Sequence, residues 1–322
     1  MDHPTKQQLD EWRTDLEQER DRLKSRLGLI DHDLADGLAH DVGDQQDVPA
    51  GEATRLAERG TQDHARKHLG RIEAALHRIE GGDTILVQTG DQLDRGDGEP
   101  EILAMLDALT VQAKAEGGEV HVLNGNHEFI NAAGDMRYVT PDGLADYARF
   151  ADKGEPRSLT GQPVDPEAKG RVVAFQPGGP EAPKLPKRPI VKQVGRSVFV
   201  HAGLTPQYVT YGVDKLNEES QAWLRGERKE IPMAAFDTDN GPVRTRRCAL
   251  DVDARDCQMA SDVLRRMEAD RMVVGHTVQE GGITPKCAGK IWLIDVGMSA
   301  HYGGKPQTLE IRDGKTRIMQ GG

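Results

Sequence analysis

Four short clusters carry side chains of the kinds that bind metal ions and phosphate: GDQLDRG at 90–96, NGNHE at 124–128, VHAGL at 200–204 and VGHT at 274–277. Asp91, Asn126, His201 and His276 together offer a carboxylate oxygen, an amide oxygen and two imidazoles. That donor set suits a borderline divalent ion such as Mn, Fe or Zn. Asp94, Arg95 and His127 add a second carboxylate, a fork-shaped cation and a titratable imidazole. Beside a metal, those three suit phosphate clamping and protonation of a leaving group. Singly, each has a plainer reading: Gly-Asp after a strand as a turn, a lone histidine as a satisfied core residue, a loop arginine as a salt-bridge partner. Their common position along the chain is what favours chemistry.

Each cluster follows a run that reads as a strand. After Gly81-Gly82-Asp83, residues 84–87 (TILV) form a buried-strand type of run ending at Gly90-Asp91. Ile102, Leu103, Leu106 and Leu109 then recur at helical spacing across 99–115, and 120–123 forms the next strand. Strand, helix, strand is the βαβ pattern, and the ends of strands are where α/β folds assemble sites. Further strands are expected at 196–201, 271–275 and 291–295, with a last hairpin turning at Asp313-Gly314. The polar, Pro- and Gly-rich span 150–190, including PGGPEAPKLPKRP, reads as an irregular surface excursion. Ahead of all this, Leu9, Trp12, Leu16, Leu23 and Leu27 make an amphipathic helical stripe over 4–27. An Asp- and Gly-rich loop spans 31–50, and a second helical stretch covers 52–79. The expected organisation is a helical N-terminal segment, 1–80, before an α/β domain, 81–322.

With 53 acidic against 42 basic residues, the net charge of −11 repels nucleic-acid backbones and anionic membranes, so neither is an expected partner. Apolar runs such as Val198-Phe199-Val200 fall far short of the roughly 20 residues that span a bilayer. MDHPTKQQLDEW has no basic region leading into an apolar one, so the expected location is the cytoplasm. Cys248, Cys257 and Cys287 have no metal-site spacing and read as reduced structural thiols, with a 257–287 bridge as the alternative.

The ordered set GDxxDRG, GNHE, H, GH resembles the signature of the calcineurin-like metallophosphoesterases, in their phosphoprotein phosphatase branch. The surrounding wording, including GGDTILVQTGDQLDRG, RYVTPDG, VFVHAGLTP, MVVGHTVQ and IWLIDVGMSAHYGG, is similar to the bacterial Shewanella-like protein phosphatases over about 81–311. The resemblance implies an α/β fold, a four-layer β-sandwich flanked by helices. It implies hydrolysis of phosphomonoesters by metal-activated water, with a phosphorylated protein or small phosphomonoester as substrate. Carried over residue by residue, Asp91 bridges two metals, and Asn126, His201 and His276 complete the second. Arg95 binds the substrate phosphate together with Asn126, His127 is the acid for the leaving oxygen, and Asp94 orients His127. A second phosphate-binding arginine follows a GPLWYR-like stretch in the family; here GPVRTRR makes Arg246 the candidate.

One departure bears on the cofactor. The family's first motif, GDxHG, supplies an Asp and a His to the first metal, and no Asp-x-His occurs before residue 84. Asp31-His32-Asp33, His40-Asp41 with Asp44, and Asp63-His64 are stand-ins of poor geometry, since adjacent side chains on a strand face opposite ways. Two divalent ions are thus expected for the family and one from this sequence. A truncated or rearranged product, a replacement ligand from the N-terminal region, and loss of the first metal all remain open explanations. The alternatives to a protein phosphatase are a pseudophosphatase or phosphate-ligand binding protein with an incomplete metal site, and a dinucleoside polyphosphate hydrolase. Asp295 reads as a hydrogen-bonded strand-end residue, and His301 and Tyr302 as ordinary surface positions, with the border of the substrate entrance as the alternative.

Overall fold

The computed structural model describes residues 84–159, 161, 163–299 and 301–320. The expected helical stretches at 4–27 and 52–79, and the stand-in Asp and His pairs, lie outside the described residues. By contacts, 84–86 group with Met105–Val120, and Val87–Ala104 groups with 121–320.

The expected βαβ start is present: β1 (Ile85–Gln88), α1 (Glu99–Ala115) and β2 (Glu119–Val122). Glu119 N donates to Thr84 O at 3.1 Å and Leu123 N to Gln88 O at 2.8 Å, the same order along both strands, which makes the pair parallel. In the smaller unit, Leu106, Leu109 and Ala113 are buried along one face of α1, as the spacing of its apolar residues requires.

In the larger unit, β3 (Val191–Val194), β4 (Ser197–Val200), β5 (Arg271–Val274), β6 (Thr284–Lys286) and β7 (Ile291–Leu293) form one sheet in the order β3-β4-β5-β7-β6. Its three central strands run parallel, with Val200 opposite Val274 and Val274 opposite Leu293. They are rich in Val, Ile and Leu because helices and loops cover the sheet. Val198, Val200, Met272, Val274, Ile291 and Leu293 are all fully buried. Parallel pairing in this register brings the residues that follow each strand to one edge. Gly275 N donates to His201 O at 2.7 Å, and Ile294 N to Val274 O at 2.8 Å. The hairpin β8 (Gln307–Arg312) and β9 (Lys315–Gln320) turns at Asp313-Gly314, both with positive φ, as expected.

The remaining helices are α2 (Asn126–Ala132), α3 (Pro141–Ala145), α4 (Lys169–Phe175), α5 (Pro206–Tyr211), α6 (Val213–Leu224), α7 (Met233–Phe236) and α8 (Ala254–Arg266). Phe129 of α2 stacks on Trp223 of α6 in the core, and Tyr147 packs edge-on against Phe175 of α4.

The span 150–190 is the expected exposed, irregular excursion only up to about residue 167; beyond it the chain is largely buried. Its RVVAF run lies in α4, where every residue from Gly170 to Phe175 is buried, and Ala182–Lys187 forms a short 3-10 helix with Leu185 fully buried. A helix buried on all sides shows no apolar-to-polar period, so periodicity could not find it. The thiols also need correction: Cys257 and Cys287 are joined, their Cα atoms 5.2 Å apart, and only Cys248 is free and buried. Among the described residues, no helix is long and apolar enough to cross a membrane.

Candidate active site

Asp91, Asp94 and Arg95 sit on the loop after β1, and all three adopt left-handed backbone conformations (φ 57°, 70° and 53°). Such conformations cost energy for residues with a Cβ and persist only where surrounding bonds over-determine them. At Asp91 the fully buried Glu128 does so. Its carboxylate accepts from Asp91 N (3.0 Å), Gln92 N (2.8 Å), Leu93 N (3.2 Å) and Gly125 N (2.6 Å), tying the β1 loop to the start of α2. Burial and the nearby Asp91 charge push the Glu128 carboxyl above its ordinary range.

The strand ends converge as expected. One ligand atom each from Asp91, His201 and His276 lies within 4.8 Å of the others, a group able to hold a metal ion. His201 is buried at the end of β4, and its Nδ1 donates to Thr89 O at 2.8 Å. That bond fixes the ring and points Nε2 at Asp91 Oδ2 and at Asn126 Oδ1, each 3.2 Å away. Burial works against ionising Asp91, but the charges of His201 and His127 outweigh it and hold the carboxyl well below the usual range. His201 shows the converse: burial opposes its charge, and Asp91 outweighs it and raises the pKa. Burial, followed by His201 and Arg246, depresses His276 to about 3, so its imidazole is neutral at physiological pH, the form that binds metals. Asn126 opens α2 and is buried.

The other expected groups surround this cluster. His127 N donates to Asp91 Oδ1 at 3.0 Å, and its ring Nδ1 lies 2.5 Å from Asp94 Oδ2. Burial disfavours the imidazolium, yet the Asp94 hydrogen bond and the Asp91 charge prevail, and the pKa is raised. Arg95 is held by its backbone N–H on Tyr138 O (3.0 Å), and its Nη1 donates to Tyr302 Oη (2.6 Å). Its guanidinium lies 4.6 Å from the Tyr138 ring centroid and 5.7 Å from that of Tyr302. Tyr302 is thus an exposed residue that neighbours Arg95. Arg246 is exposed and donates from Nη1 to Thr277 Oγ1 at 3.0 Å, one residue from His276. Asp295 behaves as expected, accepting from Gly297 N at 2.9 Å.

Sequence reasoning missed Glu99, Asn131, Arg171 and Arg244. Arg244 lies where it senses the Asp91 charge, and His276 hydrogen-bonds its backbone carbonyl. The GPVRTRR run contained a signal for it, since that stretch was already set aside for a phosphate-binding arginine.

The family model of the calcineurin-like phosphoesterases matches residues 60–280, beginning inside the segment expected to precede the domain. The chain belongs to the calcineurin-like phosphoesterase family and is a hydrolase acting on phosphoesters. It is 35% identical over 285 residues to Shewanella-like protein phosphatase 2 of Arabidopsis thaliana, covering 79% of this chain and 73% of the relative. It is 32% identical over 247 residues to an uncharacterized protein of Schizosaccharomyces pombe, covering 74% and 69%. The crystal structure of a cold-active protein-tyrosine phosphatase from a psychrophilic Shewanella superposes with a TM-score of 0.56 at 22% identity, covering 74% of this chain and 67% of that one, and shows the same fold.

Proposed function

We propose that this metallophosphoesterase is a protein phosphatase, in which residues 81–322 form the catalytic domain and Asp91, Asn126, His201 and His276 hold a divalent ion. The observation that carries this reading is the convergence of Asp91, His201 and His276, with His201 Nε2 turned toward two oxygen donors. Two oxygens and two imidazole nitrogens fit Mn, Fe or Zn. Such an ion supplies the positive charge that makes water a nucleophile at neutral pH and offsets charge on the phosphoryl oxygens. The Arabidopsis relative's name, protein phosphatase, supports the substrate class.

The chain's own residues then divide the work. Arg95, its guanidinium packed on Tyr138 and Tyr302, clamps the phosphate through its in-plane N–H donors, and Asn126 and Arg246 assist it. Hydrolysis places a water oxygen on phosphorus, and the departing oxygen must take up a proton. With Nδ1 held by Asp94, His127 delivers that proton from Nε2 and is recharged from solvent.

Because Asp94 favours the imidazolium, the alkaline limb of kcat/KM should fall above the ordinary histidine value of 6.5. Asp94→Asn removes that support, so the limb should move to lower pH; an unmoved limb in a pH–rate profile would remove Asp94 from this role. Asn126→Ala deletes an oxygen donor whose one side-chain hydrogen bond is to His201. Manganese retention should fall by roughly tenfold or more while the unfolding midpoint changes little. Unchanged metal retention on equilibrium dialysis speaks against Asn126 as a ligand. The substrate class is tested with a panel of phosphoserine, phosphothreonine and phosphotyrosine peptides against a dinucleoside polyphosphate. Turnover confined to the dinucleotide overturns the protein phosphatase reading.

A further inference from the structure

The structure assigns to Arg171, in the buried helix α4, the role of a positioning residue that sets the Asp94 carboxylate against His127. This rests on the reading of His127 as the acid for the leaving group. A guanidinium has five N–H donors, and Arg171 spends all of them inside the protein. Nε donates to Asn131 Oδ1 (2.7 Å). Nη1 donates to Glu99 Oε2 and to Gly143 O (2.9 Å). Nη2 donates to Asp94 Oδ1 (3.2 Å) and Glu99 Oε1 (3.0 Å). The side chain is fully buried, with the Tyr147 and Phe175 rings 5.2 Å and 5.4 Å from its centre. It has no donor left for substrate or solvent, so any part it plays in turnover passes through its partners.

Those partners converge on one carboxylate. Asp94 Oδ1 accepts from both Arg171 Nη2 and Asn131 Nδ2 (2.9 Å), and Asn131 is itself held by Arg171. With Oδ1 occupied twice, Oδ2 alone faces His127 Nδ1. Glu99 completes the arrangement twice over: its Oε1 accepts from Asp94 N at 2.6 Å, fixing the backbone at a left-handed residue, and its charge neutralises Arg171. Asp94 Oδ2 is therefore the oxygen set against the imidazole, and the guanidinium fixes where the carboxylate points. A buried cation that served packing alone would be costly to retain, because desolvation offsets much of the attraction within a buried pair.

The test exploits the leaving group. An acid matters for an ester that departs poorly, such as phenyl phosphate, and little for p-nitrophenyl phosphate, which departs readily as an anion. Wild type, His127→Ala, Arg171→Met and Glu99→Gln are assayed as full-length, manganese-loaded proteins on both esters, with metal content and unfolding midpoint measured in parallel. Arg171→Met and Glu99→Gln should lose roughly tenfold or more in kcat on phenyl phosphate beyond their loss on p-nitrophenyl phosphate, with KM and metal content unchanged, in the pattern of His127→Ala. If Arg171→Met does not fold, the isosteric Glu99→Gln is read alone. Equal losses on the two esters in these variants, with a selective loss in His127→Ala, overturn the role of Arg171 and leave the acid standing. No selective loss in His127→Ala overturns the acid assignment itself, and turnover of neither ester by wild type overturns the functional reading.

Discussion

Asp91→Asn is expected to lower kcat on a phosphopeptide by roughly 10³-fold or more and to strip the metal. The carboxylate stands at the centre of the site: Oδ2 is 3.2 Å from His201 Nε2, and Oδ1 accepts from His127 N at 3.0 Å. The amide keeps the shape and loses the charge. A divalent ion stabilises the transferring phosphoryl group by several kcal/mol, and each factor of ten in rate corresponds to about 1.4 kcal/mol. Losing the anionic ligand therefore removes about three powers of ten. Elemental analysis together with steady-state kinetics checks both halves. A variant with wild-type metal content and turnover shows that Asp91 is not a ligand.

Gly90→Ala should be strongly damaging to the fold. Gly90 has φ 105°, and a Cβ there would lie 2.6 Å from Gly125 N and 2.7 Å from His201 Nδ1. Left-handed strain of about 1–2 kcal/mol adds to an overpacking cost of about 1–3 kcal/mol, so roughly 2–5 kcal/mol of stability is lost. A fall in the unfolding midpoint on the order of 10 °C follows. Gly195→Ala separates the two terms: its φ is 52°, but nothing lies within 4 Å of an added Cβ. That variant should lose only the strain, about 1–2 kcal/mol. Equal losses in the two would show that close approach of the β1 loop to α2 does not limit stability.

The parts of the site legible in the sequence were those on chain directions that local pattern fixes. TILV, VHVL, VFV and MVV each read as strands, and whatever follows a parallel strand arrives at one end of its own sheet, the first two runs pairing in a two-stranded sheet and the last two in the five-stranded one. Asp91, Asn126, His201 and His276 are thus grouped by sequence pattern alone, although they span 91 to 276. The supports for those residues were not legible. Arg171 contacts Asp94 across 77 residues and Glu99 across 72, from a helix buried on every side. Glu99 at the start of α1 has the appearance of an ordinary acidic first-turn residue, which the helix dipole favours there. The side chain of Asn124, just after β2, donates to Leu185 O (2.9 Å) and Arg188 O (3.0 Å), both within the span read as irregular. Tyr302 lies 207 residues from Arg95, a pairing that neither periodicity nor spacing encodes.

Titration of metal-free protein with manganese, while phosphate release from a phosphopeptide is followed, tests the central assignment most directly. Phosphate release should be absent without the ion and rise in step with bound metal until the site is full. Release at the same rate in chelator-treated protein, or a fully loaded protein that releases none, would contradict it.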